Sequence, residues 1–357
     1  MPAFTFVDQP DQIAEKFHAP AIVGVDTEFM REKTFFAQLC LVQLSTPDEI
    51  FCVDPLTEAP AADFWRVLDS CTWVLHSARQ DIEVISQTAE FMPASIFDTQ
   101  IAAGLLGFAP QMGYGGLIQE LFDVELAKSH TRANWTMRPL PEEYLQYAAE
   151  DVEFLLPAEN ELKARLDKLG RLSWAEEDSA LLLDAGLYEI DPQKAIARLK
   201  GARNFRGRKR AAAARLSVWR EEEALRRDRP RQWILRDNIL LDIAYQLPAD
   251  EQALAAIEGM PGKLVQRCAA DIINAVRQSA DDANDYAPPR PPDEEQKQLL
   301  KTMQAVVASC AEDLKLAAET IASKKELSGV IMDGSRESRV FSGWRNELIG
   351  QELAAML

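Results

Sequence analysis

The segment AIVGVDTEF, residues 21–29, is a short β-branched apolar run that ends on two carboxylates, Asp26 and Glu28. Side chains of this kind suit a half-buried pleated surface, so the segment reads as a strand. A strand's period of two then sends both carboxylates to one side. Further along, FFAQLCLVQLS at 35–45 alternates apolar with polar residues, EIFCVDP at 49–55 repeats the signal, and CTWVLH at 71–76 supplies a fourth strand. Helical spacing takes over at 78–90, 98–107 and 142–156. Three consecutive strands, then a strand followed by a helix, predict an α/β fold with a mixed sheet flanked by helices.

From about residue 157 onward the patterns are helical only, as in ENELKARLDKLG, WAEEDSALLLDAGL and AAAARLSVWREEEALRR. The basic GARNFRGRKR at 201–210 is short of apolar residues, and DDANDYAPPRPPDEE at 281–295 can neither continue a helix nor bury a core. The expected division is therefore an α/β domain at 1–190, a basic linker at 191–210, a helical domain at 211–282, a Pro-rich acidic linker at 283–295 and a second helical domain at 296–357. A length of 357 residues agrees, because it exceeds one ordinary hydrophobic core.

Hydrophobic residues at 47% and charged ones at 27% are those of a folded, packed chain. The N-terminus lacks the basic start and apolar run of a secretory signal, and no segment is apolar enough to span a membrane, so a cytoplasmic, membrane-free location is expected. Five scattered cysteines suggest reduced, buried side chains, with neither a zinc site nor a disulfide framework. A net charge of −18 argues against a polyanionic partner until its distribution is considered. Residues 194–236 hold 15 Lys and Arg against 4 Asp and Glu, a local +11 suited to phosphate contacts.

Two converging carboxylates beside an apolar strand are costly unless a cation neutralises them. Asp81 follows the fourth strand in LHSARQD, where Ser77 and Gln80 have the spacing of a helix capping box, which puts Asp81 in the first helical turn. Tyr147 and Asp151 stand four apart in EEYLQYAAEDVEFLL and share one helix face. Each feature alone has an ordinary structural explanation: solvated acids at a strand end, an acid favoured by the helix dipole, a surface pair. Their combination in one α/β domain points to chemistry. His76, at the end of its strand, reads as a packed or hydrogen-bonded support.

The segments VGVDTEFMREKTFFAQLCLVQLS, WVLHSARQDIEVI and YLQYAAEDVEFLLP resemble the three exonuclease motifs of the DEDD superfamily, with Tyr147 marking its DEDDy branch. FDTQIAA and KSHTRANWTMRPL resemble the ribonuclease D family, over about residues 2–190 in all. RDNILLDIAYQLP with IEGMPGKLV is similar to an HRDC domain, and VFSGWRNELIGQEL to the end of a second, more divergent HRDC copy. The resemblance implies a ribonuclease-H-like exonuclease domain followed by two all-α HRDC-type domains. The activity implied is that of a 3′-to-5′ exoribonuclease releasing 5′-mononucleotides by two-metal-ion hydrolysis. Asp26 would bridge both metals, Glu28 and Asp151 would complete the first site, Asp81 would hold the second largely through water, and Tyr147 would orient the attacking water. Oxygen ligands of this kind suit two magnesium ions, or manganese. Lys128 falls where the family places a lysine near the substrate phosphate.

Phe29, next to Glu28, is a candidate ring for stacking on the terminal base, with a core position as the other reading. Trp135 and Arg138 read best as a turn anchored by a buried tryptophan. The partner implied is RNA with a single-stranded 3′ end, tRNA precursors above all. Two other functions remain open in the sequence. One is an enzyme on DNA, from which only a 2′-hydroxyl contact would distinguish this site; the other is a non-catalytic nucleic-acid-binding scaffold.

Overall fold

Six strands form one mixed sheet in the order β1-β4-β3-β2-β5-β6. They are β1 (Thr5–Val7), β2 (Ile22–Met30), β3 (Gln38–Ser45), β4 (Ile50–Val53), β5 (Thr72–Leu75) and β6 (Ser95–Asp98). This is the α/β architecture expected, seen in a computed structural model that describes residues 2–13, 17, 21–57, 61–126, 133–282, 286 and 290–357. The antiparallel pairs are β2–β3 and β3–β4; β1–β4, β2–β5 and β5–β6 are parallel. β1 and β6, at 3 and 4 residues, are too short to show a periodicity and were not anticipated.

The strand carrying the first two acids is central, with partners on both sides. Its register against β3 slips after Glu28: Glu28 faces Leu41 and Phe29 faces Leu39, so Cys40 is the extra residue of a bulge. A bulge adds local twist and re-aims side chains, here at the end of β2 that bears the carboxylates.

Helices α1 (Ala62–Asp69), α2 (Arg79–Ala89), α3 (Thr99–Leu105), α4 (Tyr114–Phe122), α5 (Glu142–Glu153), α6 (Leu155–Lys168) and α7 (Leu172–Ala180) follow. The pattern at 142–156 suggested one helix, but α5 stops at Glu153. Pro157 cannot donate to the carbonyl four residues back, so it is tolerated only in the first turn of a new helix, and α6 begins at Leu155 to provide that turn. Among the described residues, no helix is long and apolar enough to cross a membrane, and the five cysteines are free, four of them buried.

Contacts divide the chain into two units, the first made of Met1–Met30, Gln38–Tyr188 and Pro292–Leu357, the second of Arg31–Ala37 and Glu189–Pro291. In the first, α13 (Glu294–Leu314), α14 (Ala318–Ile321) and α15 (Lys324–Asp333) share one apolar core with the sheet domain. Phe97, Leu105 and Leu162 pack in the same cluster as Met303, Ile321 and Trp344. Trp344 stacks on Trp174 with centroids 4.5 Å apart and planes at 6°. Beside it Arg345, 1% exposed, forms a two-pronged ion pair with Asp178 at 2.5 and 2.8 Å.

The second unit is built on α8 (Gly207–Arg227), α9 (Arg231–Ile234), α10 (Asp237–Gln246), α11 (Glu251–Ala255) and α12 (Gly262–Gln278). Residues 191–210, which composition marks as a linker, are folded: tight turns span Pro192–Arg198 and Lys200–Asn204, and Leu199 and Ala202 are buried in the helical core. Several arginines of the basic stretch serve as internal braces. Arg198 and Arg231 both hold Glu221, Arg220 holds Asp237, and Arg226 and Arg227 hold Glu223. Residues 31–37, between β2 and β3, belong to this unit: the backbone N–H groups of Phe35 and Phe36 donate to Asp228, and Arg231 lies over the Phe35 ring at 4.3 Å. Of the acidic linker at 283–295, residues 283–285 and 287–289 lie outside the described residues.

Candidate active site

Three elements bring the motif acids together. Asp26 and Glu28 lie on β2, Asp81 sits in the first turn of α2 and Asp151 near the end of α5. The capping box expected for α2 does not form. Ala78 is the N-cap residue, without a side-chain cap, and Ser77 takes a left-handed backbone, φ 63°. The free N–H groups are met from β6 instead, where Asp98 accepts from Ser77 N–H at 3.1 Å and from Ala78 N–H at 2.8 Å. Asp98 also accepts from Gln100 and Ile101 at the start of α3, so one buried carboxylate fixes the first turns of two helices. A charge-assisted cap from a distant strand outcompetes a local serine, and nothing in the local sequence announces it.

Burial raises the proton affinity of every acid in the cluster. Asp26 is held well above the ordinary carboxylate range, first by its depth in the protein and then by the charges of Asp81, Asp151 and Glu28. It nevertheless keeps part of its surface open to solvent. Burial, then Asp151 and Asp81, push Glu28 to about 8. Asp81 and Asp151 are pushed to about 7 by burial, against the pull of hydrogen bonds from Thr27 and Tyr147 respectively. Thr27 donates to Asp81 Oδ1 at 2.5 Å, which occupies one of the two carboxylate oxygens. Burial and the negative charges of Asp151, Glu28 and Asp26 keep the Tyr147 phenol protonated far above its ordinary value.

Tyr147 is held on its other side by Trp135, whose ring lies 6.3 Å away, centroid to centroid. Trp135 is 2% exposed and sits in the turn anticipated from its sequence. Arg138 locks that turn, pairing with Asp54 at 2.5 and 2.7 Å and donating to the carbonyls of Trp135, Met137 and Cys40. His76 is a hydrogen-bonded support: Nε2 donates to the Met112 carbonyl at 2.9 Å, and Nδ1 meets the Thr99 hydroxyl at 2.9 Å. Tyr114, which the sequence did not single out, accepts the Phe154 N–H at 3.0 Å, where α5 breaks just after Asp151. Phe29 is half-buried at the bulge. Lys128 lies outside the described residues.

Among the described residues, no three His, Cys, Asp or Glu side chains stand as a preformed metal-ligating group. The four carboxylates act on one another as electrostatic neighbours. Their chemistry nonetheless fits hard divalent cations: the donors are all carboxylate oxygens, and like charges held together at depth are relieved most directly by a bound cation.

The raised values also set a pH dependence. A carboxyl group that binds its proton more tightly in the folded than in the unfolded state contributes stability fully present below about pH 4. That stability is lost as pH rises through the folded values, about 7 for Asp81 and Asp151 and about 8 for Glu28. The metal-free protein should therefore melt at progressively lower temperature between about pH 5.5 and 8.5, and Glu28→Gln should flatten that slope. Thermal melts in chelator at constant ionic strength check this; a profile rising with pH would contradict it.

Comparison with known proteins places this geometry in context. A family model for 3′-5′ exonucleases matches residues 3–167, and one for the HRDC domain matches residues 209–276. A ribonuclease D from Gluconacetobacter diazotrophicus is 34% identical, covering 96% of this chain and 89% of its own. One from Acidiphilium cryptum is 34% identical over 95% of this chain and 88% of its own. Among solved structures, that of Escherichia coli RNase D, described as an exoribonuclease involved in structured RNA processing, superposes with a TM-score of 0.90. It has 25% identity, and the match covers 100% of this chain and 99% of that one.

Proposed function

Because the chain belongs to the ribonuclease D family of 3′-to-5′ exoribonucleases, we propose that it removes 5′-mononucleotides from RNA 3′ ends by hydrolysis assisted by two divalent cations, with tRNA precursors as its physiological substrate. The observation that supports this most is the convergence of Asp26, Glu28, Asp81 and Asp151 from three separate elements, with the Tyr147 phenol beside Asp151, Glu28 and Asp26. In this reading Asp26 would serve both cations, Glu28 and Asp151 would complete one site, and Asp81 would serve the other. Magnesium, or manganese, would supply charge neutralisation and activation of water.

The chain's own residues divide the remaining work. Asp81 has one oxygen engaged by Thr27, which suits a ligand that reaches its cation largely through water. Tyr147 is too weak an acid here to serve as a general base. Its hydroxyl bonds to Asp151, and its role in this reading is to orient the attacking water. Trp135 and the Arg138–Asp54 pair keep that phenol in place. Phe29 is assigned to the terminal base. In the second unit the phosphate contacts fall to Lys200, Arg203, Arg208 and Arg236, the exposed cations of the basic stretch that are not used as braces. The division into an exonuclease domain and two helical domains, the last at 296–357, is part of the same reading.

The test compares matched RNA and DNA oligonucleotides with single-stranded 3′ ends, labelled at the 5′ end, in magnesium and in chelator. The expected outcome is a ladder shortening by one nucleotide at a time, faster on RNA, with no product in chelator. Undiminished cleavage in chelator would remove the cations from the mechanism, internal cuts would exclude an exonuclease, and faster decay of DNA would reverse the substrate assignment. Sequencing the RNAs whose 3′ ends lengthen when the protein is absent tests the tRNA assignment.

A further inference from the structure

Gln43 is fully buried, 0% exposed, and neither its side-chain nitrogen nor its side-chain oxygen has a hydrogen-bond partner among the described residues. A buried amide left unpaired costs on the order of 1–3 kcal/mol. Such a group is conspicuous when a leucine or methionine would fill the same space. Its surroundings make the choice stranger. Gln43 is on β3, directly opposite Asp26 on β2 and opposite Cys52 on β4. Residues directly opposite one another in a sheet share a face, so the row Asp26, Gln43, Cys52 lies on one side.

That side is covered by α5, which packs on β2, β3 and β4 and buries Leu145, Ala148, Ala149 and Val152. The Cys52 thiol is already directed at the Leu145 carbonyl, 3.8 Å away. Alanines at 148 and 149 leave room above the strand for a long polar side chain. Within this apolar layer, the polar neighbour left in the row for the Gln43 amide is Asp26.

We propose that Gln43 is a positioning residue for Asp26, its amide N–H reaching the Asp26 carboxylate through one ordered water and thereby holding it in the orientation that binds a cation. Donors aimed at a carboxylate fix its rotamer, and supports of this kind orient metal ligands. Ser45, one register step further, shows the same economy of space. Its hydroxyl is also buried without a partner, and it lies where a Cβ on Gly24 would come within 2.2 Å of it. Gly24 thus lets β3 present polar side chains close against β2. The inference rests on the assignment of Asp26 to the cations.

Gln43→Met separates the function of this amide from its cost. In chelator, the variant should melt at the same temperature as the wild type or higher, because a buried amide whose oxygen has no partner among the described residues has been replaced by an apolar group of similar length. Manganese binding to the resting protein, measured by calorimetry, should weaken about 10- to 100-fold, and kcat should fall by a similar factor while KM for RNA stays unchanged. Unchanged manganese affinity and unchanged kcat would overturn the proposal. If the wild type itself binds no manganese, the cation assignment has failed instead, so the two failures are distinguishable. Should the variant not fold, a high-resolution crystal structure of the wild type decides. An amide bonded to Asp26, or to a water held by Asp26, supports the inference, and an amide bonded elsewhere overturns it.

Discussion

Asp26→Asn should lower turnover by about 10³-fold or more while the metal-free protein stays folded. The size follows from position. Asp26 lies on the central strand and is the acid on which Asp81, Asp151 and Glu28 all act, so neutralising it weakens the attraction of the whole cluster for a cation. The same change removes one of several like charges confined at depth. At pH 8 in chelator the variant should therefore melt no lower than the wild type. Steady-state turnover on a short RNA, circular dichroism and a thermal melt check the three parts. A folded variant with near-normal turnover in magnesium would sink the assignment of Asp26. Lost activity together with lost structure would show that Asp26 supports the fold.

Arg345→Met should cost about 3–5 kcal/mol of stability, the usual penalty for stranding a buried charge. Asp178 is 7% exposed and is paired through both oxygens by Arg345, while Trp344 Nε1 donates to it at 3.1 Å. Arg345 further donates to the Ile321 and Thr320 carbonyls, which tie down α14. Without the guanidinium, the carboxylate keeps one side-chain donor in an apolar core. The double variant Arg345→Met with Asp178→Asn should recover part of the loss, since no charge is then stranded. Urea denaturation of the wild type and both variants measures this. An unchanged midpoint for the single variant would mean that the pair does not hold Pro292–Leu357 to the sheet domain.

The parts of this molecule that were legible in sequence are those governed by local periodicity. β2, β3, β4 and β5 alternate or run apolar over enough residues to be recognised, and the acids keep their spacing on strand and helix. What escaped is set by contacts between distant residues. Asp98 caps the helix of Asp81 from another strand, and Trp135 steadies Tyr147 from a turn, although nothing at Ser77 or Tyr147 records either partner. Composition also misled at 191–210, because arginines counted as open charge are spent on Glu221 and other buried or half-buried acids. Gln43 sat unremarked in an alternating strand, where a polar residue is ordinary. Its complete burial is what sets it apart.

The shared core of the first unit has a consequence for how the protein is made. Its sheet, its motif acids and Asp178 are translated well before the segment Pro292–Leu357 that closes the same apolar cluster. At about 5–20 residues per second, Asp178 leaves the peptidyl-transferase centre roughly 10 to 30 s before Arg345 is added. Throughout that interval a nascent chain carries every acid of the cluster but has an uncovered apolar face and an unmatched carboxylate. Completion of this unit is therefore timed by translation of its last segment, and the half-finished chain is the species that most needs protection from aggregation.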